Sequence, residues 1–130
     1  MRSVLVLCFM STFAFIATAQ QSKTTLVVPA DAQGVIKYTP EVLKVINNKC
    51  MSCHTPSSKD EDAKEALIWE ETFHYNKKLA LLTLDDLLES VEKREMPPKE
   101  TVQKTPSAAL NTAETATLKA WIESSLAKLE

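Results

Sequence analysis

The sequence predicts an all-α domain that follows an export signal. Three observations carry the fold class. The 130 residues contain a single glycine, Gly34, and strands joined by tight hairpins draw on glycine for their turns. Four segments place apolar side chains three and four residues apart, the spacing of one helical face. Past residue 38, no run sustains the apolar–polar alternation of a half-buried strand.

The chain opens with Arg2 and then an apolar run from Val4 to Ala17, broken only by Ser11 and Thr12. Ala17-Thr18-Ala19 is an A-x-A cleavage pattern, so residues 1–19 read as a signal peptide. The run falls short of the roughly 20 residues that span a bilayer. The expected mature chain starts at Gln20, lies in the periplasm and has no stable membrane insertion. Cleavage removes Cys8 and leaves Cys50 and Cys53 as the only cysteines. Residues 20–38 read as an extended arm bearing the apolar patch Leu26-Val27-Val28. Residues 39–130 form the helical domain.

Within that domain, the first helix opens at Thr39-Pro40, since proline suits the first helical position. It aligns Val42, Val45, Ile46 and Lys49 and runs into Cys50. The second opens near Ser58, with Glu61 three residues on as a capping box, and fades near Trp69. The third opens at Thr83, carries Leu84, Leu87, Leu88 and Val91, and stops at Met96-Pro97-Pro98. The fourth opens at Asn111, with Glu114 three residues on, and carries Leu118, Trp121, Ile122, Leu126 and Leu129. Its Trp121 is placed to pack against Val42, Val45 and Ile46.

Net charge is −2 at neutral pH, and loss of Arg2 makes it one unit more negative. That balance lacks the basic footprint of a nucleic-acid-binding protein. Around Met96, Lys93, Arg94 and Lys99 interleave with Glu89, Glu92, Glu95 and Glu100, so the segment reads as a solvated face.

The chemistry lies in Cys50-Met51-Ser52-Cys53-His54. C-x-x-C-H is the attachment signature of a c-type haem. On a helical turn, positions i, i+3 and i+4 share a face. Both sulfurs then reach the two vinyl groups on one porphyrin edge, and the His54 imidazole lies beneath the iron. Two thioethers also consume two thiols that an oxidising compartment would not leave free. A redox-active C-x-x-C belongs near a βαβ pattern, and none is visible. A structural zinc site needs four ligands, and His74 is the only other histidine. A structural disulfide in an interaction module is a further reading.

Met96 is the candidate second axial ligand. It follows the third helix, and Pro97-Pro98 stiffens its loop. A thioether is a soft ligand, and Met/His ligation raises the reduction potential. Packing in the core is the plain alternative for a methionine, and His74 is the rival distal ligand. Met51 lies on the cysteine turn and cannot reach the far face. Trp69, Phe73 and Tyr75 are candidates to wall the haem.

These motifs resemble the small haem-binding domain family of single-haem c-type cytochromes, found among exported proteins of Bacteroidetes-like bacteria. The likeness runs from about Val28 to Ile122. It rests on Asn48 to His54, Ala63 to Leu67 leading to Trp69, the leucine-rich third helix, and Glu95-Met96-Pro97-Pro98. Pro106, Ala108 and Leu110 ahead of the last helix complete it. The resemblance implies a cytochrome c-like fold with one haem c per chain, held through Cys50 and Cys53. His54 would be the proximal and Met96 the distal iron ligand. Single-electron transfer with redox partner proteins would follow, with no catalytic residues. Two departures stand out: a short polar stretch after C-x-x-C-H, and Arg94 where members often carry glycine two residues before the distal methionine. A haem-based sensor or small peroxidase-like enzyme is the alternative activity, and it requires a displaceable distal ligand.

Overall fold

Capping side chains decide where the helices begin in this computed structural model, which describes residues 24–130. The signal, its cleavage site and residues 20–23 of the arm lie outside the described residues. Helix α1 spans Pro40–Lys49, and the Thr39 hydroxyl accepts from the Val42 amide at 3.3 Å. Helix α2 spans only Glu61–Ala66. Its cap is Asp60, whose carboxylate accepts from the Ala63 amide at 3.0 Å, rather than Ser58, which accepts from the Asp60 amide instead. Leu67 is extended, and a separate 3₁₀ helix, Trp69–His74, takes up the chain. Trp69 therefore opens a new element instead of closing the second helix.

Helix α3 runs over Lys77–Glu92, six residues earlier than expected from Thr83. Asn76 caps it by accepting from the Leu79 amide at 3.0 Å. The leucines of the first turns obscure this start, because Leu79 and Leu82 remain exposed and break the buried stripe. The helix also ends before the prolines. The Arg94 amide donates to the Val91 carbonyl at 3.3 Å and the Glu95 amide to the Ser90 carbonyl at 2.9 Å. These two bonds form a Schellman motif, which turns the chain out of the helix.

A short helix α4, Lys99–Lys104, and a 3₁₀ turn, Pro106–Ala108, follow, where the sequence indicated only a solvated face and a loop. Helix α4 buries no residue, so no apolar stripe marks it. Helix α5 spans Thr112–Leu129, and Asn111 and Glu114 close a reciprocal capping box at 2.9 Å each way.

All regular elements among the described residues are helical, as the glycine count and periodicity predict. Helix α5 packs along α3 and against α1. Their shared core holds Ile46 of α1, Leu84 of α3, and Leu118 and Ile122 of α5, all essentially removed from water. Each such side chain contributes about 1.5–3 kcal/mol through burial. Met51, between the two cysteines, is also in this core.

The arm is part of the structure rather than an appendage. Leu26 and Ile36 are buried. The Asn47 carboxamide brackets Leu26, accepting from its amide at 2.5 Å and donating to its carbonyl at 3.1 Å. The Trp121 indole donates to the Lys37 carbonyl at 2.8 Å. Tyr38 stacks on Trp121 at 5.3 Å between ring centroids and meets Phe73 edge-on at 5.5 Å.

Candidate functional site

The cysteine motif forms a turn of its own directly after α1, for which Cys50 is the C-cap. The Cys53 and His54 amides both donate back to the Cys50 carbonyl, at 3.2 and 3.1 Å. This helical turn gives Cys50, Cys53 and His54 a common side, and all three line one cavity of about 280 Å³. Met96, Pro97 and Pro98 line the same cavity. Four residues proposed from sequence thus meet at one site, although Met96 comes from the loop beyond α3.

The remaining walls come from every helix. Ala66 and Leu67 lie at the end of α2, and Trp69 opens the first 3₁₀ helix. Leu87 and Val91 of α3, with Leu110 and Leu118, add apolar side chains to the lining, and Thr83, Asp86 and Ser90 of α3 add polar ones. The α3 positions were partly visible as a stripe. Thr101 of α4, Ala108 of the second 3₁₀ turn and Leu110 carry no site signal in the sequence, because no local pattern marks a residue that faces a cavity from a short element without a buried stripe.

His54 is held in one orientation. Its Nδ1 lies 2.9 Å from the Ala63 carbonyl and 3.0 Å from the Leu67 carbonyl. Two acceptors require Nδ1 to carry a proton, which leaves Nε2 as the ring nitrogen free of these carbonyls. The turn is latched as well. The Trp69 amide donates to the His54 carbonyl at 3.2 Å, and the Thr55 hydroxyl donates to Glu70 at 2.6 Å.

Cys50 and Cys53 are not joined in a disulfide. Burial pushes the Cys50 thiol up to about 12, with smaller upward contributions from Cys53 and Glu114 and a downward one from Lys49. The thiol is therefore protonated at neutral pH.

His74 stands apart. It ends the first 3₁₀ helix, is exposed and does not line the cavity. Of the three aromatic residues expected to wall a haem, Trp69 alone lines the cavity; Phe73 packs in the core and Tyr75 is half-buried elsewhere.

The lining suits a largely apolar group that carries a polar acceptor. The Trp69 indole N–H is buried without a partner in a cavity wall. A buried donor left unpaired costs about 1–3 kcal/mol, so the site favours a ligand with an acceptor, such as a carboxylate. Among the described residues no three or more His, Cys, Asp or Glu side chains are grouped to hold a metal ion by themselves. A porphyrin iron asks only for axial donors, and the imidazole and thioether present are of that kind.

No protein-family model, no curated protein and no solved structure matches this chain.

Proposed function

We propose that the protein is a monohaem c-type cytochrome, exported to the periplasm, whose cytochrome c-like domain passes single electrons between partner proteins. The observation that supports this most is the meeting of Cys50, Cys53, His54 and Met96 on the wall of one apolar cavity. The resemblance of the motifs to the small haem-binding domain family points the same way.

Each residue has a defined task in this reading. Addition of the Cys50 and Cys53 S–H groups across two vinyl groups forms two C–S bonds, moves each hydrogen to the neighbouring carbon and needs no oxidant. His54 presents Nε2 because its Nδ1 proton is committed to the Ala63 and Leu67 carbonyls. Met96 supplies a neutral sulfur. Trp69 donates to a carboxylate of the bound group, and Leu87, Val91 and Leu118 keep water out. The haem, once attached, supplies one-electron cycling of its iron.

The test is intact-mass measurement of protein exported by a host with haem-attachment machinery. The mature chain should begin at Gln20 and carry one covalently bound haem. Wild-type protein with two free thiols and no added mass refutes the proposal. Met96→Ala should remove the weak far-red sulfur–iron band, lower the potential and open the iron to carbon monoxide. His74→Ala should change none of these, since His74 lies outside the cavity. The sensor or peroxidase-like reading draws on one observation, the 39% exposure of Met96. Rapid carbon monoxide binding by the wild-type ferrous protein would favour it.

A further inference from the structure

Lys49 ends α1 immediately before Cys50, and its amino group is held inside the fold. Nζ donates to the Ser107 carbonyl at 2.7 Å and the Ala109 carbonyl at 2.9 Å. It also lies 3.5 Å from the Glu114 carboxylate, with the two side chains only 14% and 21% exposed. These contacts tie α1 to the start of α5 and to the 106–110 segment. Lys49, Ala108 and Leu110 all line the cavity that Cys50 lines, whereas Glu114 does not. An exposed ion pair of this length contributes little, but partial burial weakens the screening by solvent and salt. Both charges reach the haem-attachment turn. After burial and Cys53, Glu114 and Lys49 are the groups that act on the Cys50 sulfur, in opposite directions.

On the haem reading above, we propose that Lys49 and Glu114 set the reduction potential of the bound haem, Lys49 raising it and Glu114 lowering it. Oxidation adds one positive charge at the iron. A fixed cation nearby opposes that step, and a fixed anion favours it. The two charges lie 3.5 Å apart, so their effects are opposite in sign and comparable in size. A second task follows from its bonds: Lys49 positions the 106–110 wall.

The two tasks separate in a titration against redox mediators, performed on protein whose haem content has first been verified by mass. At an effective dielectric constant of about 20, a unit charge one side-chain layer away shifts a one-electron equilibrium by roughly tenfold. Lys49→Met should therefore lower the potential by about tenfold in the equilibrium constant, about 59 mV for one electron. Glu114→Gln should raise it, by roughly sixfold or more in the same constant, because its carboxylate lies within 3.5 Å of the Lys49 amino group. Glutamine also serves the capping box, so α5 keeps its start. Lys49→Arg should keep the wild-type potential. A purely structural role gives another pattern: loss of either partner loosens the wall, admits water and lowers the potential in both variants. Equal-sign shifts, or shifts below about twofold in both, overturn the inference and leave the cytochrome reading intact. Wild-type protein without haem overturns both. If Lys49→Met fails to accumulate, an unchanged or lowered potential in Glu114→Gln is enough to overturn it.

Discussion

Arg94 has a φ of 55°, in the left-handed region that side chains with a Cβ avoid. It occupies the first position past the α3 cap in the Schellman motif, where glycine is the usual residue. The left-handed conformation costs a residue with a Cβ about 1–2 kcal/mol relative to glycine. Part of any relief is returned because glycine gains freedom in the unfolded chain. Arg94→Gly should therefore stabilise the protein by about 0.5–1 kcal/mol, seen as a higher urea midpoint. Arg94→Ala retains the steric penalty and should give no gain. That position must turn left-handed to lead the chain from α3 to Met96, and this protein makes the turn with arginine.

At the scale of elements, the arm and the first 3₁₀ helix depend on one close approach. The Gly34 amide donates to the Phe73 carbonyl at 2.6 Å. A Cβ at position 34 would stand 2.6 Å from that same oxygen and 2.8 Å from the Thr72 carbonyl. The chain's single glycine thus serves backbone contact rather than a turn. Gly34→Ala should destabilise the protein by about 1–3 kcal/mol, the usual cost of overpacking. The damage should centre on Trp69–His74, which carries one wall of the cavity and the amide that latches His54. Hydrogen exchange should therefore quicken in residues 69–75 while the α3–α5 pair keeps its protection. Uniform loss of protection across all helices would contradict this account.

Across the whole molecule, Tyr38 joins parts that sequence separates. Its ring meets Trp69 and Phe73 of the 3₁₀ helix and stacks on Trp121 of α5. Its hydroxyl donates to Thr72 at 2.5 Å, and Thr72 donates on to the Trp69 carbonyl at 2.6 Å. Burial raises the phenol well above its ordinary value of 10.0, opposed by the Thr72 bond and assisted slightly by Tyr75. The unfolded phenol ionises first, so the contribution to stability is complete below pH 10 and falls as pH rises above it. One such group lowers stability by up to about 1.4 kcal/mol per pH unit. Alkaline unfolding of the protein should show this slope above pH 10, and Tyr38→Phe should reduce it, with Tyr75, raised by burial as well, contributing the remainder. An unchanged slope in the variant would assign the alkaline transition to another group.

The sequence alone determined what depends on neighbours along the chain. The all-α class, the caps Thr39 and Asn111, and the i, i+3, i+4 placement of Cys50, Cys53 and His54 all follow from spacings of four residues or fewer. The start of α3 was locally encoded too, at Asn76, but exposed Leu79 and Leu82 hid it by breaking the pattern that burial would have imposed. Tertiary structure decided the rest. It alone brought Met96 to the cavity of Cys50, left His74 outside it, and placed Lys49 on Ser107 and Ala109, some 58 and 60 residues away. The physical reason is the range of the forces. Capping and helical periodicity are satisfied within one turn, whereas a cavity wall is fixed only when distant segments exclude water together.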